Sequence, residues 1–300
     1  MTFRLKQSES VSKSIRRIAS EQIEKAIKEI EDSNLSQAEK VHQVRKRCKK
    51  LRGLVRLVRP AMTDDFSYSN ANGLFRKIAK PLSEARDSKI YLDSFDSLLA
   101  RFVDANQQDR FQSIRDQLSY HREQLLGDDV DVATRLDDAQ EHFKDAFQSV
   151  QSLRLDAKGY EAWSHGLGKT YCRGRTAFRE AQSDPSIETL HEWRKRVKYH
   201  TYHCKLLRLL WPALIESRYG EGKRLGDWLG DHHDLAVLKQ RITDSPSDYG
   251  NRDVTDAFVS MIDQRSAQLE SHAFRLGKKM FAEKPKRFLK RYRRYWKSIQ

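Results

Sequence analysis

The sequence contains no apolar run that approaches the length of a membrane-spanning helix. It has only 13 glycines and 6 prolines among 300 residues, which argues against a long, turn-rich β architecture. The first ten residues, MTFRLKQSES, contain no apolar signal core. We therefore expect an α-helical protein that does not insert into a membrane.

Cysteine is scarce as well. The three cysteines, Cys48, Cys172 and Cys204, cannot all be paired, and two of them fall inside basic helical segments. We interpret all three as reduced and buried. Disulfides are rare in cytoplasmic proteins, so unpaired cysteines indicate a cytoplasmic location.

Positive charge is what the sequence has in excess. Its 57 Lys and Arg against 42 Asp and Glu give a formal net charge of +15. Acidic residues concentrate in residues 104–145, so the other segments are more basic than the average indicates. A strongly basic surface favours a polyanionic partner: a nucleic acid, an anionic membrane surface or a phosphate polymer.

Helical periodicity dominates the chain and predicts an all-α fold. Pro60 ends the second predicted helix, Ser186 is placed to cap a later one, and Pro81 predicts a kink inside a long helix. The ten predicted helices span residues 8–32, 37–59, 71–102, 107–126, 130–155, 157–182, 186–210, 217–243, 252–277 and 285–298.

One pattern occurs twice along the chain. Residues 41–50 read VHQVRKRCKK, and residues 190–199 read LHEWRKRVKY. The histidines of the two copies are 149 residues apart. Each copy is followed by a related segment, LSEARDSKI in the first half and LGDHHDLAV in the second, at a distance of 45 residues from His to Asp in one and 43 in the other.

This repeat predicts how the chain is organised. We expect a single domain, residues 1–300, built from two similar halves that face each other across a pseudo-two-fold axis. The halves cover approximately residues 1–128 and 155–300, with an acidic helical connection between them. Each half is expected to pack as a four-helix bundle or close to it.

Both copies of the pattern place cations in a stripe along a helix. Each polar position follows an apolar one, so the cationic stripe is turned only about 100° from the buried stripe and flanks the core. Such a stripe is positioned to line a groove between bundles, and a bound polyanion would relieve the repulsion between its charges. The alternative without a ligand is an ordinary solvent-exposed helix face, whose positive charges are balanced by Asp and Glu of neighbouring segments. The first stripe contains His42, Arg45, Lys49, Arg52 and Arg56, and the second contains His191, Arg194, Lys198 and Lys205.

At these residues the sequence resembles the CHAD family, the conserved histidine α-helical domain. The matching pieces are VHQVRKRCKKLR, LHEWRKRVK, LSEARD and LGDHHDLAVL, and the tail HAFRLGKKMFAEKPKRF also looks like the family's last helices. The resemblance covers nearly the whole chain. It implies two similar helical bundles around a basic surface or pore, binding of inorganic polyphosphate, and association with cytoplasmic polyphosphate granules. His200 departs from the family pattern, which has an apolar residue there.

The resemblance also implies which residues contact the polyanion. The main candidates are His42, Arg45, Lys49, Arg52, His191, Arg194, Lys195 and Lys198, and Arg86 and His233 are secondary ones. Asp87 and Asp234 are expected to orient neighbouring cations. Further cations that extend the basic surface are Arg17, Arg56, Arg175, Lys205, Lys284, Lys286 and Arg287. If His42 and His191 touch phosphate, protonation below about pH 6.5 should strengthen binding; the alternative is that they only pack.

Other functions fit the sequence less well. GLGKT at 166–170 lacks the spacing and the preceding strand of a phosphate-binding loop, and a helix start or a locally loosened helix fits it better. The histidines do not form a convincing metal site among so many cations, and no carboxylate cluster suggests catalysis, so we expect neither a cofactor nor an enzyme. Nucleic acid is the main rival ligand, although Trp193 falls on the apolar stripe and is expected in the core. A helical scaffold for an acidic protein partner is the third alternative.

Overall fold

The predicted all-α class is confirmed in the computed structural model, which describes residues 3–63, 67–82, 84–126 and 129–300. For residues 84–89, 125–126 and 129–130 it describes the backbone only. Within these ranges the chain forms eleven α-helices and no strand, apart from an isolated bridge between Met62 and Leu155. The helices are α1 (Val11–Glu31), α2 (Gln37–Val58), α3 (Tyr68–Ala79), α4 (Glu84–Phe102), α5 (Gln112–Leu126), α6 (Asp129–Gln151), α7 (Glu161–Ser183), α8 (Ile187–Leu206), α9 (Pro212–Asp244), α10 (Arg252–Met280) and α11 (Pro285–Lys297).

Two of the predicted boundaries are corrected. The helix predicted over residues 71–102 is two helices, α3 and α4, and the break falls at Pro81 where a kink was expected. Proline has no N–H to donate and its ring clashes with the carbonyl group one turn earlier, so a break is the stronger form of the same effect. The second correction is at Pro212, where α9 begins five residues earlier than predicted. Proline is well tolerated in the first turn of a helix, because the backbone N–H groups there have no partner within the helix.

Serine and asparagine side chains cap several helix starts. The predicted cap at Ser186 is confirmed, since its Oγ accepts from the backbone N–H of Thr189 at 3.2 Å. Ser36 caps α2 in the same way and is bonded in return by Glu39, which makes a capping box. Caps of this kind typically contribute about 1 kcal/mol each. Both stripe helices, α2 and α8, therefore begin at a defined residue shortly before their cations.

The hydrophobic core has two parts. The larger part is built from α1, α2, α3, α6, α7, α8 and α11, and the smaller part from α4, α5, the second half of α9 and most of α10. In the smaller part Phe95 of α4 stacks on Phe258 of α10 at 5.2 Å between ring centroids. Helices from the two sequence halves therefore share both cores. The pseudo-two-fold relation between the halves stays a prediction.

The GLGKT segment lies inside α7, not at a helix start or in a loosened turn. Gly166 is packed directly on the backbone of α2, so that a Cβ there would lie 1.9 Å from the carbonyl oxygen of Leu57. At Gly168 a Cβ would lie 2.7 Å from a methyl group of Leu289. The glycines let α7 approach its neighbours closely, which is a packing role.

The cysteine prediction is partly wrong. All three cysteines are free, and Cys48 and Cys204 are buried, but Cys172 is exposed on α7. Trp193 is fully buried, as the apolar stripe predicted. Within the described ranges we find no helix with the length and apolar character that a membrane crossing requires.

Candidate functional site

A groove with a volume of about 300 Å³ lies between α2 and α8, with α4 and α9 at its sides. Among its described side chains, six are Lys or Arg and one is a carboxylate, Asp234. Eight of the residues predicted from the sequence meet here, from both copies of the repeated pattern. The groove is lined by Arg45, Lys49, Arg52, Ile90, His191, Arg194, Lys195, Lys198, Tyr199, Tyr202, His233 and Asp234.

The two stripe helices are held together by a close crossing at Gly53. A Cβ on Gly53 of α2 would lie 3.0 Å from the side chain of Tyr202 on α8. One residue further along α8, the Nε2 of the buried His203 makes a hydrogen bond of 3.1 Å with the carbonyl oxygen of Gly53. The crossing fixes the distance between the two rows of cations.

The α2 wall of the groove is braced by α3. Arg45 donates to the carbonyl oxygen of Ala79 at 3.4 Å, and Arg52 donates to the Oδ1 of Asn72 at 3.2 Å. Arg56 donates to the same Asn72 oxygen at 3.0 Å. Its guanidinium lies 4.2 Å from the centre of the Tyr199 ring, and the residue is 9% exposed. Arg56 therefore supports the groove from behind and does not line it.

Two histidines from α8 and α9 contact each other at the groove with tilted rings. The rings of His191 and His233 are 4.2 Å apart between centroids. Burial, with His233 and the cations Lys195 and Arg194 as smaller causes, lowers the pKa of His191 to about 4. His191 is therefore neutral in the ligand-free protein at pH 6, and the stronger binding expected below about pH 6.5 stays a prediction, which requires a bound phosphate to raise the pKa of His191. On α9, burial and then the carboxylate of Asp234, three residues further along the helix, raise the pKa of Asp231.

The groove cations are not all equally available. Lys195 makes an ion pair with Glu192 at 2.5 Å, although its side chain is about half exposed. The guanidinium of Arg194 lies across α9, where a Cβ on Gly230 would be 3.2 Å from its Nη2. Glycine at this position leaves room for Arg194 to reach the groove.

Some predicted residues lie outside the groove lining. His42 is exposed on α2 and does not line the groove, whereas its repeat partner His191 does. The side chains of Arg86 and Asp87 lie outside the described residues, so their equivalence with His233 and Asp234 stays a prediction.

Arg17 and Arg175 have other partners in the fold. Arg17 pairs with Glu9 at 2.9 Å and with Glu21 at 3.2 Å, which ties the N-terminal segment to α1. Arg175 donates to the carbonyl oxygen of Phe281 at 3.1 Å and so fixes the end of α10. These contacts give both arginines a structural role, and contact with a polyanion stays a prediction for them.

Three further lysines also lie apart from the groove lining. The ammonium of Lys205 is 5.4 Å from the centre of the Tyr219 ring. It lies near Lys50, whose pKa is lowered to about 8 by burial and, to a smaller extent, by Arg47 and Lys205. Lys284 and Lys286 are exposed at the start of α11. Their part in binding stays a prediction.

Sequence reasoning assigned no role to two groove aromatics and missed one cation. Tyr199 and Tyr202 line the groove. Arg59, at the end of α2, continues the three- and four-residue spacing of the cationic stripe beyond Arg56. The spacing alone could have found it, but the predicted stripe ended one step earlier.

A larger and more open cleft, of about 710 Å³, lies between α9, α10 and α11. Four of its cations have partners within the fold, and two of these are Arg224, which pairs with Glu221, and Arg275, which donates to Ser271. Arg218 donates to the Nε2 of His200 at 3.0 Å and to the carbonyl oxygen of Met280 at 2.8 Å, and Arg291 pairs with Glu283 at 2.5 Å. His200, the departure from the family pattern, is fully buried as the acceptor for Arg218. Within the described part of the chain, no group of three or more His, Cys, Asp or Glu is arranged to hold a metal ion.

Buried histidines should make the fold acid-sensitive. Burial lowers the pKa of His203 to about 3, whereas a histidine in the unfolded chain titrates at about 6.5. The unfolded chain therefore takes up a proton between these values while the folded protein does not, so stability is present above about pH 6.5 and is lost as the pH falls. We expect the free energy of unfolding, measured by urea titration, to fall between about pH 6.5 and 4.5, with His203 contributing up to about 1.4 kcal/mol per pH unit.

The matched variant for this test is His203→Gln, whose amide can still donate to Gly53. It should show a smaller pH slope, whatever its stability at neutral pH. An unchanged slope in the variant would contradict a neutral His203 in the folded protein.

A comparison with protein families finds a match over most of the chain. The family model described as the CHAD domain matches residues 17–243, from α1 to the last turn of α9. The match stops before α10 and α11, so the resemblance noted in the tail lies outside it. No curated protein matches the chain.

Proposed function

The chain belongs to the CHAD family, and on this premise we propose that it binds inorganic polyphosphate in the groove between α2 and α8, without turning it over. One observation carries the proposal: two helices with the same motif direct six Lys and Arg side chains into one groove, whose described lining includes a single carboxylate. A phosphate polymer fits this arrangement because it brings a negative charge at every repeat.

The electrostatics of the groove favour such a ligand. Cations one helical turn apart repel one another when nothing neutralises them. Phosphate oxygens that accept from Arg and Lys form charge-assisted hydrogen bonds, which are shorter and stronger than neutral ones. A bound chain therefore exchanges repulsion between cations for a row of such bonds.

We also propose that the groove is the meeting place of two equivalent halves within one domain, approximately residues 1–128 and 155–300. The support is that both stripes flank the core in the same way and run along helices that cross at Gly53. The halves are not equal in detail, because His42 is exposed whereas His191 is half-buried.

The residues that line the groove favour binding of polyphosphate without hydrolysis. Hydrolysis of a phosphate chain commonly uses a metal ion, held by carboxylates, that stabilises the developing charge. Among the groove residues whose side chains are described, which leaves out residues 84–89 of α4, Asp234 is the only carboxylate. A cationic groove of this kind holds the ligand and provides no general means to activate water. A protein that holds long chains in this way would collect at cytoplasmic polyphosphate granules.

Nucleic acid, the main rival, would be expected to use exposed aromatic rings for base stacking. The rings of both groove tyrosines already pack against other side chains of the protein. Tyr199 carries the guanidinium of Arg56 on its face, and Tyr202 packs edge-on against Phe3 at 6.2 Å between centroids. This arrangement favours a ligand without bases.

A competition experiment tests the proposal directly. Long-chain polyphosphate is bound to the protein near physiological salt, and DNA or RNA is added at matched phosphate concentration, since salt alone changes such affinities strongly. We expect tight polyphosphate binding that nucleic acid does not displace. Equal displacement by DNA or RNA would show a general polyanion surface, and the proposal would be withdrawn.

A further inference from the structure

A second cluster of cations lies where the α2 stripe ends. It consists of Arg59 and of two exposed residues one turn apart on α7, Lys169 and Arg173. The three lie close enough to disfavour one another's charge. The pKa of Lys169 is lowered first by Arg59, and that of Arg59 is lowered by burial and then by Arg173. The three residues are hereafter called the Arg59 cluster.

The geometry of Arg59 points to an absent acceptor. Its Nε and Nη2 atoms are buried and have no hydrogen-bond partner among the described residues. The guanidinium carbon lies 5.7 Å from the centre of the Tyr68 ring, a contact of the ring face that gives Nε and Nη2 no acceptor. Buried donors without acceptors are costly, and a guanidinium is well suited to a phosphate because its donors match two oxygens at once.

A row of contacts joins the groove to the Arg59 cluster. Arg52, which lines the groove, shares the Oδ1 of Asn72 with Arg56. Arg56 and Arg59 then share the ring of Tyr68, at 5.5 and 5.7 Å from its centroid. Along α2, Arg52 and Arg59 are seven residues apart, which is roughly 10 Å of helix. The two sets of cations are therefore neighbours on one surface.

We propose that Arg59, Lys169 and Arg173 form a second phosphate-binding site, which takes a further segment of the polyphosphate chain held in the groove. The proposal rests on the function proposed above. It adds a preference for chain length, because a short chain fills the groove alone whereas a long chain reaches both sites. The alternative is that the Arg59 cluster binds a separate small phosphate, which would make the same contacts with the three cations.

The test compares two ligands and two variants. Lys169→Gln with Arg173→Gln removes two exposed charges and leaves the core intact, and Lys13→Gln with Lys278→Gln removes two exposed charges elsewhere. Binding of long-chain polyphosphate and of tripolyphosphate is measured at several salt concentrations, and circular dichroism checks the fold.

For long chains we expect the affinity of the α7 variant to fall about tenfold, and the slope of log affinity against log salt to fall by roughly 1.4, at about 0.7 for each phosphate contact as in single strands. Tripolyphosphate should bind to this variant as it does to the unaltered protein. The Lys13 and Lys278 variant should match the unaltered protein for both ligands.

Each contrary result has its own meaning. If the unaltered protein fails to bind long chains, the proposed function fails and this inference fails with it. If it binds them and the α7 variant matches the control, the Arg59 cluster is not a site. An equal loss for both ligands in the α7 variant would show that no chain spans the two sites.

Discussion

Reversing the charges of Arg45 and Arg194 together should lower the affinity for long-chain polyphosphate by at least about a hundredfold, since each lost charge-assisted contact costs about 1.5–3 kcal/mol. The two residues stand on opposite walls of the groove, one on α2 and one on α8. A glutamate at each position removes a donor and also repels the phosphates. The dependence of affinity on salt should become shallower, because fewer phosphates are neutralised.

The control for this experiment carries the same change of charge on another part of the surface. Lys13→Glu with Lys278→Glu alters two exposed residues that do not line the groove. If binding depended only on the net charge of the protein, both double variants would lose affinity to the same extent. Unchanged binding in a folded Arg45→Glu, Arg194→Glu variant would exclude the groove as the site.

Local sequence signals predicted most of the fold. Periodicity identified the helices, and Ser186 and Pro81 marked real boundaries because caps and prolines act on their own turn of the chain. What they could not predict was which helices share a core. The packing of α4 from the first half against α9 and α10 from the second depends on contacts between distant residues, and no turn or cap encodes it.

The groove was predictable to the extent that spacing places cations on one helix face. Arg45, Lys49, Arg52, Arg194 and Lys198 were found in this way, and the structure brings all of them together. Spacing cannot tell a lining residue from a buried one on the same stripe. Arg56 has the right spacing, yet Tyr199 and Asn72 from other helices cover it.

The sequence pattern also could not predict the charge state of His191. A histidine in a motif of cations reads as a group that gains its charge in mild acid. The burial of His191 and its contact with His233 come from the fold, and they lower its pKa to about 4. Its role in the ligand-free groove is therefore that of a neutral ring.

The packing of α7 on α2 leads to a prediction for stability. Gly166→Ala should reduce the free energy of unfolding by about 2–3 kcal/mol, a large effect for one added methyl group. The methyl group would sit 1.9 Å from the carbonyl oxygen of Leu57 and 2.6 Å from that of Arg56, so one helix backbone has to move. Overpacking of this kind outweighs the gain of up to about 1 kcal/mol that alanine brings to a helix. Urea unfolding of the variant and of the unaltered protein measures the difference.

Gly220→Ala is the matched control, because Gly220 lies within α9 and a Cβ there would meet nothing within 4 Å. Helix propensity then acts alone, and this variant should be more stable by up to about 1 kcal/mol. The opposite signs of the two substitutions separate packing from propensity. If Gly166→Ala were also stabilising, the close contact between α7 and α2 would be wrong, and with it the support that α7 gives to the backbone of α2 beneath Arg56.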